Sequence, residues 1–165
     1  MSEQRVAFIT GGIGGLGTAI CLELSKQGRR IVAGYHPSEQ EQADAWLQAR
    51  QAEGVTAHIF AGDVADYAAC QEMAQRIEAE VGPVDILINN AGITRDKMMH
   101  KMEPDQWNAV IAVNLNSVFN VTRQFVDGMR SRGWGRIVNI SSVNGQKGQM
   151  GQTNYATAKA GMHGF

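Results

Sequence analysis

Five apolar runs of strand length punctuate the chain: Val6 to Thr10, Ile31 to Gly34, Ala57 to Ala61, Val84 to Asn89 and Arg136 to Ile140. They are rich in Val and Ile and lack clean polar alternation, the pattern of strands covered on both faces. Between them apolar residues recur at helical spacing. One set is Leu16, Ile20 and Leu24; a second is Tyr67, Cys70, Met73, Ala74, Ile77 and Val81; a third runs from Trp107 through Val110, Leu115, Val118 and Phe125 to Met129. Each would bury one helical face. Ser38 with Glu41 fits a capping box, and Gly28, Gly54, Gly82-Pro83 and Gly133 stand where helices should stop. Strands alternate with helices throughout. That rhythm predicts the α/β class: right-handed crossovers building a doubly wound parallel sheet with helices on both sides.

Composition narrows the function classes. The 165 residues are 44% hydrophobic and 19% charged, enough for one sizeable core, so residues 1–165 read as a single domain. Lys plus Arg number 15 against 16 for Asp plus Glu, scattered without a basic stripe. This removes the electrostatic reason to propose a nucleic acid or an anionic membrane as partner. The opening "MSEQRVAFIT" lacks a signal-peptide layout and no stretch is long enough to span a bilayer, so the expected location is cytoplasmic. Cys21 and Cys70 are far apart and in no metal-binding or redox spacing, which predicts buried thiols. The four histidines form no ligand cluster, and no metal site is expected.

The first run leads into "TGGIGGLGTAI", at the opening of the first helix. In one register Gly12, Gly14 and Gly17 make G-x-G-x-x-G; in another, Thr10, Gly11, Gly15 and Gly17 make T-G-x-x-x-G-x-G. Either way, missing side chains let backbone N–H groups approach a pyrophosphate at the positive end of a helix. The second run ends in "IVAGYHPSEQ", without the acid that commonly binds the ribose hydroxyls of NAD; the first candidate is Glu39. That absence favours NADPH over NADH. Arg29 and Arg30 lie at the other end of the strand, so no positive clamp for the 2′-phosphate is visible, and NADH stays as the alternative.

Further polar residues gather where an open parallel sheet binds ligands, past the C-terminal ends of its strands. They are Asp63-Val64, "NNAG" from Asn89 to Gly92, and Ser141-Ser142, with Asn114 inside the long helix. Near the end, "NYATAK" sets Tyr155 four residues before Lys159, one turn apart on one helical face. A free phenol ionises near pH 10, too weak an acid for work near neutrality. An ammonium at about 5 Å, with effective dielectric about 20, favours phenolate by roughly 3 kcal/mol, or about two pKa units. Such a phenol can give a proton to a carbonyl oxygen.

"TGGIGGLG", "NNAGITRD", Asn114, "GRIVNISSVNG" and "YATAK" together resemble, in order and spacing, the short-chain dehydrogenase/reductase family, and the match covers essentially the whole chain. The resemblance implies a Rossmann-like, NAD(P)-binding domain. It implies Tyr155 as proton donor, Ser142 as hydrogen-bond donor to the substrate carbonyl, and Lys159 as holder of the nicotinamide ribose. Asn114 would fix a water beside Lys159. Ser142 is preferred to Ser141 because its spacing to Tyr155 is the family's. Thr10, Gly11, Gly12, Gly15, Leu16 and Gly17 would bind the pyrophosphate region, Asp63 and Val64 the adenine, and Asn90, Ala91 and Gly92 the adjoining ribose. "SSVNGQKGQMGQTNYATAKAGMHGF" is particularly similar to the family's reductases of acetoacetyl-CoA in polyhydroxybutyrate synthesis, with Gln149 and Gln152 facing the acyl-CoA thioester. The implied reaction is NADPH-dependent reduction of acetoacetyl-CoA to (R)-3-hydroxybutyryl-CoA.

Members of the family usually continue past this helix with further strands and a substrate lid, so the chain reads as truncated after the fifth strand and the start of the catalytic helix. The fifth run would then lie at an apolar sheet edge. A full-length form is expected to be a homotetramer. Two other functions fit the same motifs: 3-oxoacyl-acyl-carrier-protein reduction in fatty acid synthesis, and a non-catalytic nucleotide-binding module.

Overall fold

A computed structural model describes residues 4–165. Strands β1 (Val6–Ile9), β2 (Arg30–Tyr35), β3 (Ala57–Ala61), β4 (Val84–Asn89) and β5 (Arg136–Asn139) form one sheet in the order β3-β2-β1-β4-β5. Every pairing is parallel. The helices are α1 (Gly15–Lys26), α2 (Gln40–Ala52), α3 (Tyr67–Glu80), α4 (Pro104–Ile111), α5 (Ser117–Ser131), α6 (Asn144–Lys147) and α7 (Thr153–Gly164). The chain winds outward from β1 to β3, then returns to lay β4 on the other side of β1. That reversal leaves a crevice at the C-terminal ends of the two central strands, where the following loops diverge. Among the described residues no helix is long and apolar enough to cross a membrane.

The side-chain period of two explains why the central strands show no alternation. In β1, Val6 and Phe8 enter a core with Val121 and Phe125 of α5 and Ile77 of α3, while Ala7 and Ile9 enter a second core with Cys21 of α1. Trp46 and Leu47 of α2 pack against that second core. Phe8 meets Phe125 edge to face at 5.6 Å between ring centroids. Each such fully buried side chain contributes about 1.5–3 kcal/mol. Both thiols are buried, and burial pushes Cys21 and Cys70 up to about 12, so they remain neutral packing groups.

Three details differ from the sequence expectations. The predicted Ser38/Glu41 capping box is not formed. Instead His36 caps a short 3-10 turn at Pro37–Glu39, with the Glu39 carboxylate accepting from the His36 amide, because Pro37 starts the turn two residues earlier. The long third helix is interrupted by a π turn at Ala112–Asn116, between α4 and α5. Finally, β5 is not covered on both faces: Ile137 is 38% and Val138 44% exposed. The glycine stops hold, with Gly28, Gly54 and Gly133 all at φ between 66° and 78°, a region only glycine enters freely.

Candidate functional site

A cavity of about 1100 Å³ runs along the C-terminal ends of the strands, from the loop after β2 to the start of α7. Its central wall is the turn between β1 and α1. Gly11 has φ 60° and lies against Ala91, so a Cβ there would sit 3.1 Å from the Ala91 Cα. Gly12 is pressed on Ala33, with room for no side chain, and its amide donates to the Gly34 carbonyl at 2.9 Å. A Cβ on Gly17 would run into the Gly11 carbonyl oxygen. Gly15 differs, since nothing lies within 4 Å of the position its Cβ would take. The helix that follows has no side-chain cap and no acid in its first turn, so its N–H groups face the cavity unneutralised. Leu16 stands at the lip, 56% exposed.

Thr10 and Asn90 brace this turn. Thr10 Oγ1 accepts from the amides of Asn90 and Ala91, both at 3.0 Å, and Asn90 Nδ2 donates to the carbonyls of Thr10 and Gly11. The ends of β1 and β4 are thereby locked together, which fixes the crevice width. Asp63 forms an Asx turn with the Ala65 amide at 2.9 Å, and its other oxygen lies 3.9 Å from His36 Nε2. Val64 packs on the core while its carbonyl accepts from Asn120 of α5.

At the far end, α7 presents Tyr155 and Lys159 to the cavity. The Lys159 Nζ lies 5.6 Å from the Tyr155 ring centroid and donates to the Ile140 carbonyl at 2.7 Å. Lys159 is only 3% exposed, and burial lowers its pKa from 10.5 to about 8. The two serines after β5 divide their work. Ser141 donates its hydroxyl to the Lys159 carbonyl at 2.8 Å, whereas Ser142 only accepts, from the Asn144 amide at 3.1 Å. The Ser142 hydroxyl hydrogen is therefore free for a ligand.

Asn114 sits in the π turn and is fully buried. Its Nδ2 donates to the Ile93 carbonyl at 2.8 Å and to the Val110 carbonyl at 2.9 Å, the acceptor its own amide would use in an α-helix. Its Oδ1 has no partner, an uncommon state for a buried amide. A Cβ on Gly92 would lie 2.5 Å from that oxygen and 3.7 Å from Lys159 Nζ, so Gly92 keeps open the place where the two converge.

All predicted site residues except Gly12, Gln149 and Gln152 line this one cavity. Gln149 is exposed. The Gln152 amide bridges Asp96 at 2.8 Å and Asn144 at 2.9 Å, tying the loop after β4 to α6. Sequence reasoning passed over Asn154, whose Nδ2 holds the carbonyls of Arg95 and Gln106 and whose Oδ1 accepts from the Tyr155 amide. Only its adjacency to Tyr155 could have signalled it. The steric cradle at Gly12 and Gly17, the uncapped helix end and the orphaned Asn114 oxygen fit a dinucleotide lying from His36 to Tyr155.

Residues 5–165 match the family model described as short chain dehydrogenase. The chain is 60% identical over 161 residues to an acetoacetyl-CoA reductase of Allochromatium vinosum, covering 98% of this chain and 65% of that protein. It is 57% identical to an acetoacetyl-CoA reductase of Cupriavidus necator, covering 98% and 65%. It is also 57% identical to nodulation protein G of Azospirillum brasilense, covering 99% and 66%. The chain thus spans about 65% of the length of the curated relatives it matches. With that match along nearly its whole length, the chain belongs to the short-chain dehydrogenase family.

Proposed function

We propose that the protein carrying this sequence reduces acetoacetyl-CoA to (R)-3-hydroxybutyryl-CoA with NADPH, the reductive step of polyhydroxybutyrate synthesis. The observation that carries the chemistry is the buried Lys159 beside Tyr155 in the same cavity as the glycine turn. Support for the substrate comes from the relatives named acetoacetyl-CoA reductase at 51–60% identity. When bound, a reduced nicotinamide supplies a hydride to the keto carbon.

This chain's residues would handle the oxygen. Alkoxide character develops there in the transition state, and donors already aimed at it stabilise it without reorganising. Ser142 has its hydroxyl hydrogen to give, and Tyr155 would pass its proton to the oxygen. Lys159, held by the Ile140 carbonyl, keeps positive charge near the phenol below about pH 8. The unpartnered Asn114 Oδ1 would hold a water through which the proton on Tyr155 is replaced. Thr10, Gly11, Gly15, Leu16 and Gly17 would face the pyrophosphate, Asp63 and Val64 the adenine, and Asn90, Ala91 and Gly92 the ribose. Gln149 and Gln152 would act on the acyl thioester, Gln152 through its bridge to Asp96. The working form would be a cytoplasmic homotetramer.

The test is acetoacetyl-CoA-dependent oxidation of NADPH, with Tyr155→Phe alongside. The expected result is turnover by the parent and a loss of about 10²-fold or more in the variant, the scale of a positioned proton donor. Full speed in Tyr155→Phe overturns the mechanism. Faster turnover of a 3-oxoacyl-acyl-carrier-protein than of acetoacetyl-CoA would move the function to fatty acid synthesis.

A further inference from the structure

We propose that Asn154 is a positioning residue for the proton-transfer step: by bonding α7 to the loop after β4 and to α4, it sets where Tyr155 stands in the cavity. The inference rests on the reductase reading above. Asn154 is 0% exposed, and its amide is engaged at both ends. Nδ2 donates to the Arg95 carbonyl at 3.0 Å and to the Gln106 carbonyl at 3.1 Å, while Oδ1 accepts from the Tyr155 amide at 2.8 Å. Two carbonyls on one side and an N–H on the other fix which end is nitrogen and which oxygen.

The start of α7 leaves this work to Asn154. Gln152 holds the N-cap position but makes no cap bond, because its side chain spans Asp96 and Asn144 instead. The Tyr155 amide lies in the first turn, where a helix offers its N–H groups no partner of its own, and Asn154 Oδ1 supplies one. Among the described residues nothing hydrogen-bonds the Tyr155 hydroxyl, so the polar contact that fixes this residue is the one at its amide.

Lys159, one turn on, hangs from a different part of the fold. Its carbonyl accepts from the Ser141 hydroxyl at 2.8 Å and its Nζ donates to the Ile140 carbonyl at 2.7 Å, both in the segment after β5. The 5.6 Å between Nζ and the Tyr155 ring therefore depends on two anchors, and Asn154 is the one on the phenol's side. A wholly buried amide carries a desolvation cost that an apolar side chain of like volume avoids; what it adds is direction. Direction matters here because reacting atoms must meet at about 3–3.5 Å, and a misplacement of about 1 Å costs about 10²-fold.

The test is the first-order rate at which protein-bound NADPH is oxidised after rapid mixing with saturating acetoacetyl-CoA, together with the NADPH dissociation constant. Asn154→Leu fills the space without any of the three bonds. Asn154→Asp keeps an acceptor for the Tyr155 amide and loses both donated bonds. Because only folded protein holds NADPH, the rate constant of the bound complex is insensitive to a fraction that fails to fold. Both variants should lose at least about tenfold in that rate while binding NADPH within about twofold of the parent. A variant whose bound NADPH is oxidised within about twofold of the parental rate overturns the inference alone, since a merely structural role moves stability and not this constant. So does a loss of NADPH affinity as large as the loss of rate, which would make the bonds part of the cofactor pocket. A parent that leaves bound NADPH unoxidised overturns the reductase reading and this inference with it.

Discussion

At the residue scale, burial and chemistry oppose each other in Lys159. The ammonium that would assist Tyr155 is lodged where burial penalises charge, and its pKa falls from 10.5 to about 8. A lysine with a lowered folded-state value binds fewer protons folded than unfolded between the two values. Stability therefore rises with pH from about 8 to 10.5, and the full cost is present at pH 7. That cost is on the order of 3 kcal/mol, partly offset by the bond to the Ile140 carbonyl. Lys159→Met should consequently be more stable than the parent at neutral pH, by about 1 kcal/mol, while losing turnover. The advantage should shrink toward pH 10.5. Urea unfolding of both proteins at neutral and alkaline pH reads this directly, and a variant less stable than the parent at pH 7 would refute the burial argument.

Among the elements, the turn from β1 into α1 separates glycines needed for folding from those needed for binding. A methyl group on Gly17 meets only backbone, the Gly11 carbonyl and Gly12 at 2.8–2.9 Å, which cannot rotate away. Gly17→Ala should lose about 1–3 kcal/mol of stability and all dinucleotide binding. Gly15→Ala should keep its stability, because its Cβ enters open cavity, yet bind dinucleotide more weakly. Paired thermal melts and cofactor titrations distinguish them; equal melting points would show the cradle to be looser than its geometry. This turn was legible in sequence because its cause is local: glycines between an apolar run and a helical stretch. The central strands were legible for a similar reason, since two-sided cover leaves runs of Val and Ile without alternation. The π turn was not, because Ala112-Val113-Asn114-Leu115-Asn116 keeps helical polarity across the added residue. The Asn154 bridge and the Gln152 bond to Asp96 were hidden because their partners lie 48–59 and 56 residues away. The apolar pattern of β5 says nothing about what covers it.

For the whole molecule, the sheet order matters most at that strand. Its inner neighbour is β4, and among the described residues no strand pairs with its outer side, beside the exposed Ile137 and Val138. An apolar edge of this kind is a template for strand addition. A second apolar surface competes with it: Tyr67 of α3 stacks on Phe119 of α5 at 6.2 Å, and the two are 44% and 52% exposed. The two surfaces predict different behaviour. Association through the edge is saturated by backbone bonds and blocked by charge on the strand, whereas association through the helices is indifferent to it. Of the two surfaces the edge alone can add backbone hydrogen bonds to apolar contact, which favours it, so this chain should associate increasingly with concentration. Val138→Lys should weaken that association at least about tenfold, or ~1.4 kcal/mol, and Phe119→Lys should leave it within about twofold. Sedimentation velocity over a dilution series decides between them. If Phe119→Lys abolishes association and Val138→Lys does not, the helical face holds the copies together and the strand edge is quiet.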